Sequence, residues 1–208
     1  MIEIFDCDQN SEAWYLARKG LPTASEFAAI LSPGKGKAES KTRRTYLLKL
    51  AGEILTGDLM EHPTSFHMER GKVMEDEARD AYAFHTDAEP IRVGFVRNGQ
   101  KGCSPDSLVG DVGMLEIKTK LPHLIIDLLI KDEFPEEHIA QCQGALWVCE
   151  REWIDIAVYW PKLPTFIKRA YRDEPFIAKL SDAVDAFNAE LAATVDQIRR
   201  YGALEQAA

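Results

Sequence analysis

The sequence contains no run of about 18 apolar residues, the length a helix needs to cross a bilayer. Its first residues, "MIEIFDCDQN", lack the basic start and the apolar stretch of a secretory signal. These two absences predict a soluble, intracellular chain. Cysteine is scarce and unclustered: Cys7, Cys103, Cys142 and Cys149 form no CxxC pair. That excludes a zinc ribbon and an iron–sulfur framework, and it predicts reduced, mostly buried thiols. Positive charge is in deficit, with 25 Lys and Arg against 34 Asp and Glu, a net charge of −9 and a pI near 5.1. A surface that attracts nucleic acid all round is thereby excluded, so any DNA contact has to be local or assisted by cations. Repeats and low-complexity segments are absent as well, and only the tail "LEQAA" is expected to fray.

What is present suffices for one core. A chain of 208 residues with 46% hydrophobic composition predicts a single domain over 1–208, with 174–208 as a C-terminal amphipathic helix and tail. Residues 10–19 read as a short helix with Trp14 and either Leu16 or Ala17 inward. Gly20 and Pro22 then break the chain, and Thr23 followed by Glu26 has capping-box spacing. The loop "PGKGKAESK" leads to a helix over 42–56 with Tyr46, Leu47, Leu50 and Ile54 at helical spacing. A third helix covers 65–85, with Met74, Ala78, Ala81 and Tyr82 on its apolar side. Strands follow at 90–97, 106–110 and 113–120, then a helix near 136–149 and an alternating strand in "WIDIAVYW". The closing helix, 174–200, presents Phe176, Leu180, Val184, Phe187, Leu191 and Ile198 on one face. This order predicts an α/β (α+β) fold with a central mixed sheet flanked by helices.

The stretch "CSPDSLVGDVGMLEIKTK" carries the chemistry. A side-chain period of two puts Leu115 and Ile117 on one face of the second strand and Glu116 with Lys118 on the other. The turn "VGDVG" brings Asp106, ten residues before Glu116, alongside it. An acid from each strand with a lysine beside them describes a site for a hard divalent cation such as Mg²⁺ or Mn²⁺. There the cation polarises a phosphoryl oxygen and lowers the pKa of bound water, while Lys118 orients that water or steadies developing charge. Phosphodiester hydrolysis is the reaction that fits. The plain alternative is a solvated strand face beside an ordinary turn.

"SPD" followed by "EIK" resembles the PD-(D/E)XK nuclease signature, here Asp106, Glu116, Ile117 and Lys118. Three further blocks, in the same order, make the chain similar to the phage lambda-type, YqaJ-like, recombination exonucleases. "WYLARKGLPTASEF" resembles that family's W-x-x-x-R-x-G-x-x-T-A-S-E block, "RGKVMEDEAR" its G-x-x-x-E-x-x-A block, and "HIAQCQGALWV" its A-Q-x-Q helix. The matches run from Trp14 to Trp147.

The resemblance implies a PD-(D/E)XK core, with Asp106 and Glu116 as metal ligands aided by the Ile117 carbonyl. Glu75 is then the helical acid that reaches the metal directly or through water, Lys118 the residue serving the nucleophile, and Gln141 the active-site glutamine. His138 stands where the family often has tyrosine and receives no role. Two Mg²⁺ ions, replaceable by Mn²⁺, are expected about 3.5–4 Å apart. Arg18 and Ser25 match the family's residues for a 5′-phosphate, and Thr23 near a helix N-terminus suits the same anion. The plain reading of these three is a helix cap plus a surface arginine. Lys35, Lys37, Lys41, Arg43 and Arg44 around the glycine loop are candidates for DNA-backbone contacts, or simply solvated.

By the same resemblance the activity is 5′→3′ digestion of one strand of linear double-stranded DNA, leaving a 3′ overhang. The implied assembly is a ring-shaped homotrimer, the implied partner a single-strand annealing protein, and the implied setting the cytoplasm of a bacterium carrying a phage or prophage. Other readings are a restriction-type endonuclease of the same superfamily and a non-catalytic DNA-end binding module.

Overall fold

The computed structural model describes residues 1–34, 39–58 and 66–206, without the side chains of 66–69, 71–72 and 202–206. Lys35 and Lys37 lie outside the described residues. In chain order the elements are β1 (Ile2–Phe5), α1 (Glu12–Arg18), a 3₁₀ turn (Ala24–Glu26), α2 (Phe27–Leu31), α3 (Lys41–Thr56) and α4 (Phe66–Thr86). Next come β2 (Pro90–Ile91), β3 (Phe95–Asn98), β4 (Lys101–Cys103), β5 (Ser107–Val109) and β6 (Gly113–Thr119). After α5 (Pro122–Lys131) and α6 (Ile139–Cys149), the chain ends with β7 (Trp153–Tyr159), β8 (Phe166–Tyr171) and α7 (Glu174–Gln206).

Two sheets organise these elements. A five-stranded mixed sheet has the order β2-β5-β6-β7-β8, in which only β6 and β7 run parallel. A three-stranded antiparallel sheet has the order β1-β3-β4. The expected mixed α/β fold is therefore present, with a second sheet added. That sheet arises because the predicted strand 90–97 is split at 92–94 and β1 and β4 pair with its second half.

Packing explains the other departures. "WIDIAVYW" alternates in sequence, yet Ile154 through Val158 are all buried, because β7 is central in its sheet and has cover on both faces. Helices α2, α3, α6 and α7 enclose one core that includes Phe27, Leu47, Leu146 and Phe187. On the other face of the sheet, α4 packs Ala78 and Tyr82 against Leu115, Ile117 and Ala157. Leu16, offered as an inward residue of α1, is 54% exposed, while Trp14 is buried. Ile198 lies past Val195, the last buried position of α7 among the described side chains, and is exposed. Ile54 does not join the core stripe of α3, where Ala51 and Glu53 are buried instead. It lies against Gly20, whose φ of +69° favours glycine and whose missing Cβ would sit 2.6 Å from Ile54 Cγ1. Among the described residues, no helix is long and apolar enough to cross a membrane.

Candidate active site

Strands β5 and β6 form a hairpin in which Ser107 faces Leu115 and Val109 faces Gly113. Continuing that register sets Asp106 beside Glu116. The Ile117 N–H donates to Asp106 Oδ2 at 2.6 Å, which closes the contact. In a strand the N–H and C=O of one residue point to the same side. The Ile117 carbonyl thus faces Asp106, beyond the last β5 pair.

Glu116 and Lys118 share a face, as their spacing requires, but that face is not solvated. Glu116 is 3% exposed. Its Oε1 accepts from Lys118 Nζ at 2.5 Å and from Gln141 Nε2, on α6, at 2.6 Å. Among the described residues the hydrogen bonds leave Glu116 Oε2 and Asp106 Oδ1 open. Burial, and next the charge of Glu116, hold the Asp106 carboxyl well above its usual range. Burial alone would lower Lys118, but Glu116 and Asp106 outweigh it and keep the ammonium above its ordinary pKa. Cys142, one residue past Gln141, is raised by burial and then by Glu116, so its thiol stays protonated.

Glu75 approaches from α4 and is engaged elsewhere. Its Oε1 accepts from Arg79 at 2.6 Å, and no three His, Cys, Asp or Glu side chains among the described residues converge as a metal cluster. The residues that fit a hard cation are Asp106 and Glu116, each with an open oxygen, and the Ile117 carbonyl. A half-buried carboxyl beside a buried one, its pKa raised by desolvation and then by the neighbouring charge, is a setting that a divalent ion relieves.

His138 closes the N-terminal side of α6. Burial first, then the positive charges of Lys118 and Lys120, lower its pKa to about 4 from an ordinary 6.5. Between those values the unfolded chain takes up a proton that the folded chain refuses, so stability falls as pH drops through that window. Replacing His138 by glutamine should remove about 3 kcal/mol of this acid-dependent loss. Urea unfolding of both proteins at neutral pH and near pH 4 measures it. Equal pH dependence in the two would contradict the assignment.

The end-recognition candidates form a second cluster. Arg18 donates to Thr23 Oγ1 at 3.3 Å, and Thr23 Oγ1 lies 3.2 Å from Ser25 Oγ. Thr23 does not cap a helix through its side chain, so the capping box is absent; its hydroxyl is occupied by Arg18 and Ser25. The segment is anchored by its backbone: Thr23 N–H donates to Tyr46 Oη and Gly102 N–H to the Pro22 carbonyl, each at 3.0 Å. A Cβ on Gly144 of α6 would meet the Phe27 ring at 2.3 Å, so only glycine lets the segment lie this close to the Gln141 helix. Arg18 stacks on Trp14 at 4.1 Å, and the Trp14 indole donates to Ser104 Oγ at 2.7 Å, two residues before Asp106. Trp14 therefore ties the arginine to the turn that carries Asp106, a link that its tryptophan identity alone did not reveal.

Arg18 also walls a cavity of about 380 Å³ with Tyr15, Lys41, Thr45, Lys49 and Glu53. Of the remaining basic candidates, Arg43 is turned toward α7, where it pairs with Glu190 at 2.5 Å, and Arg44 pairs with Glu39 at 3.5 Å.

Comparison with known proteins gives this arrangement its relatives. The YqaJ-like viral recombinase domain matches residues 13–152. The crystal structure of LHK-Exo, an alkaline exonuclease from Laribacter hongkongensis, superposes with a TM-score of 0.82 at 32% identity, covering 93% of this chain and 98% of that one. A structure of LHK-Exo in complex with dAMP gives a TM-score of 0.83 with the same identity and coverage. A phage-related exonuclease from Haemophilus somnus 129PT shares the fold with a TM-score of 0.66 at 14% identity, covering 86% of this chain and 96% of that one. No curated protein matches the sequence. With its fold that of the alkaline exonucleases, the chain belongs to the YqaJ-like viral recombinase family and is a nuclease of the exonuclease type.

Proposed function

We propose that the protein digests one strand of linear double-stranded DNA in the 5′→3′ direction from 5′-phosphorylated ends. The 3′ single strand that remains is the substrate of a strand-annealing partner in phage-type recombination. The observation that carries this reading is the pairing of half-buried Asp106 with buried Glu116, each acid with an open oxygen, beside Lys118 and Gln141. Asp106, Glu116 and the Ile117 carbonyl would hold Mg²⁺, or Mn²⁺ in its place, with Glu75 reaching the ions directly or through water. The bound cations supply Lewis acidity at the scissile phosphate.

The chain's own residues do the rest. Lys118, kept as an ammonium by the neighbouring carboxylates, donates to the attacking water or the phosphoryl oxygens and cannot act as a base. Gln141 steadies Glu116 in one orientation. Arg18, Ser25 and Thr23 receive the terminal 5′-phosphate. Attack on the next phosphorus breaks its bond to the 3′-oxygen, which leaves as a hydroxyl on the released mononucleotide. That cut creates a new 5′-phosphate on the shortened strand, so every turnover regenerates the group that Arg18 binds. The likeness to LHK-Exo, crystallised with dAMP, supports a deoxynucleoside monophosphate as product. Family membership supports a homotrimeric ring and action in the cytoplasm of the phage's host.

Duplexes labelled at one 3′ end, with a 5′-phosphate or a 5′-hydroxyl, test the proposal beside a closed circle in Mg²⁺. Digestion from the 5′ end that is faster with phosphate and absent on circles is expected; cutting of circles would point to an endonuclease instead. Arg18→Ala should erase about a tenfold phosphate preference, the worth of a charged hydrogen bond.

A further inference from the structure

Arg79 is the most heavily bonded side chain beside the site, and nothing in the reaction proposed above uses it. It lies on α4 and is 7% exposed. Its Nε–H donates to Ser107 Oγ at 2.9 Å, and one terminal nitrogen, Nη2, donates both to the Asp106 carbonyl at 3.2 Å and to Glu75 Oε1 at 2.6 Å. Its other terminal nitrogen donates to Asp76 Oδ1 at 2.9 Å. Ser107, fully buried, adds a second donor to the same Asp106 carbonyl at 2.6 Å.

The pattern is directional. Asp106 is gripped at both ends, its carbonyl by Arg79 and Ser107 and its carboxylate by the Ile117 N–H on β6. Such a residue has little freedom to move away from β6. Glu75 is held by the same guanidinium, so one side chain sets the placement of the helical acid and of the strand acid together. A planar fork with five N–H groups can serve four acceptors lying on two elements; a lysine ammonium cannot. The positive charge faces two acids, Glu75 and Asp76, and Asp76 also meets Arg92. Its Coulombic effect on a cation at Asp106 is thereby largely neutralised, and geometry is what remains.

We propose that Arg79 is the positioning residue of the cation site, fixing Asp106 and Glu75 in the arrangement that binds the divalent ion. The inference rests on the assignment of Asp106 and Glu116 as ligands. Groups that orient a ligand from behind typically contribute 10–100-fold to metal affinity.

The test is calorimetric titration of Mn²⁺ and Mg²⁺ into the full chain without DNA, for wild type, Arg79→Lys, Arg79→Met, Ser107→Ala and Asp106→Asn. Thermal unfolding in a chelator confirms that each variant is folded. Arg79→Lys, which keeps the charge and loses the fork, should bind the ions about 10–100-fold more weakly. Ser107→Ala, which removes a single hydrogen-bond partner, should lose about fivefold and carries the test if the arginine variants do not fold. Wild-type affinity in both Arg79→Lys and Ser107→Ala would overturn the inference, as would tighter binding in Arg79→Met, the mark of a purely repulsive charge. Absence of binding in wild type, or unchanged binding in Asp106→Asn, would instead overturn the ligand assignment itself.

Discussion

Replacing Lys118 by methionine should slow nucleotide release by about 10²–10³-fold while leaving the affinity for DNA ends nearly unchanged, the effect expected on losing one preorganised donor at a developing charge. The reason is local. Lys118 Nζ lies 2.5 Å from Glu116 Oε1, and the two carboxylates keep it protonated despite its burial. It is thus a fixed positive donor rather than a proton acceptor. Arginine should not rescue the activity, because a wide planar fork does not fit where a compact ammonium sits against Glu116. Single-turnover rates and end binding, measured on the same preparations, separate the two effects. A lysine variant that cuts at the wild-type rate would remove Lys118 from the chemistry.

The second large effect joins activity to stability. Asp106→Asn should abolish digestion, by 10³-fold or so, and at the same time raise the unfolding midpoint of the cation-free protein at neutral pH. In the folded chain, burial and Glu116 raise the Asp106 pKa above its unfolded value. From the unfolded pKa of 3.8 up to the raised folded one, the folded state binds more protons than the unfolded state. Stability is therefore lost as pH rises through that window, and the whole penalty is present above it. An amide carries no such penalty and can still accept from the Ile117 N–H. Thermal unfolding in a chelator, at neutral and acidic pH, should show the variant's advantage shrinking as the wild-type carboxyl becomes protonated. A variant less stable than wild type at neutral pH would mean that the carboxylate is better accommodated than its surroundings indicate.

The centre of this site was legible because its signal is local. A period of two fixes which strand residues share a face, and ten residues of hairpin bring Asp106 back to Glu116. Gln141 and Arg18 came from ordered blocks of family resemblance; in the structure Gln141 bonds Glu116 and Arg18 bonds Thr23. Arg79 was not legible. In "MEDEAR" an arginine four residues after a glutamate reads as a surface pair, and nothing local reveals that Ser107 and the Asp106 carbonyl wait on the sheet beneath it. The plain alternative, a solvated face on β6, fails for the same reason: alternation tells which side chains share a face, not that α6 covers it.

The fold shows the same division. Core stripes of α3, α4 and α7 followed helical spacing, with errors at Ile54 and Ile198 where tertiary neighbours decide exposure. Strand β8 escaped because "FIKRAY" interleaves Lys168 and Arg169, and the burial of Asp155 that explains Arg169 is a tertiary fact. Helix α5 differs from these. "PHLIIDLLIK" has proline in its first turn and a strong apolar run, signals local to the sequence itself.

The most direct test of the account is the single-turnover release of nucleotides from a 5′-phosphorylated linear duplex in Mg²⁺ by wild type and by Glu116→Gln, with end binding followed in the same samples. Glu116 holds Lys118, Gln141 and, by this account, the cation, so binding should persist in both proteins while release occurs only in wild type. Equal digestion by the Glu116→Gln variant would contradict the placement of the active site on β6.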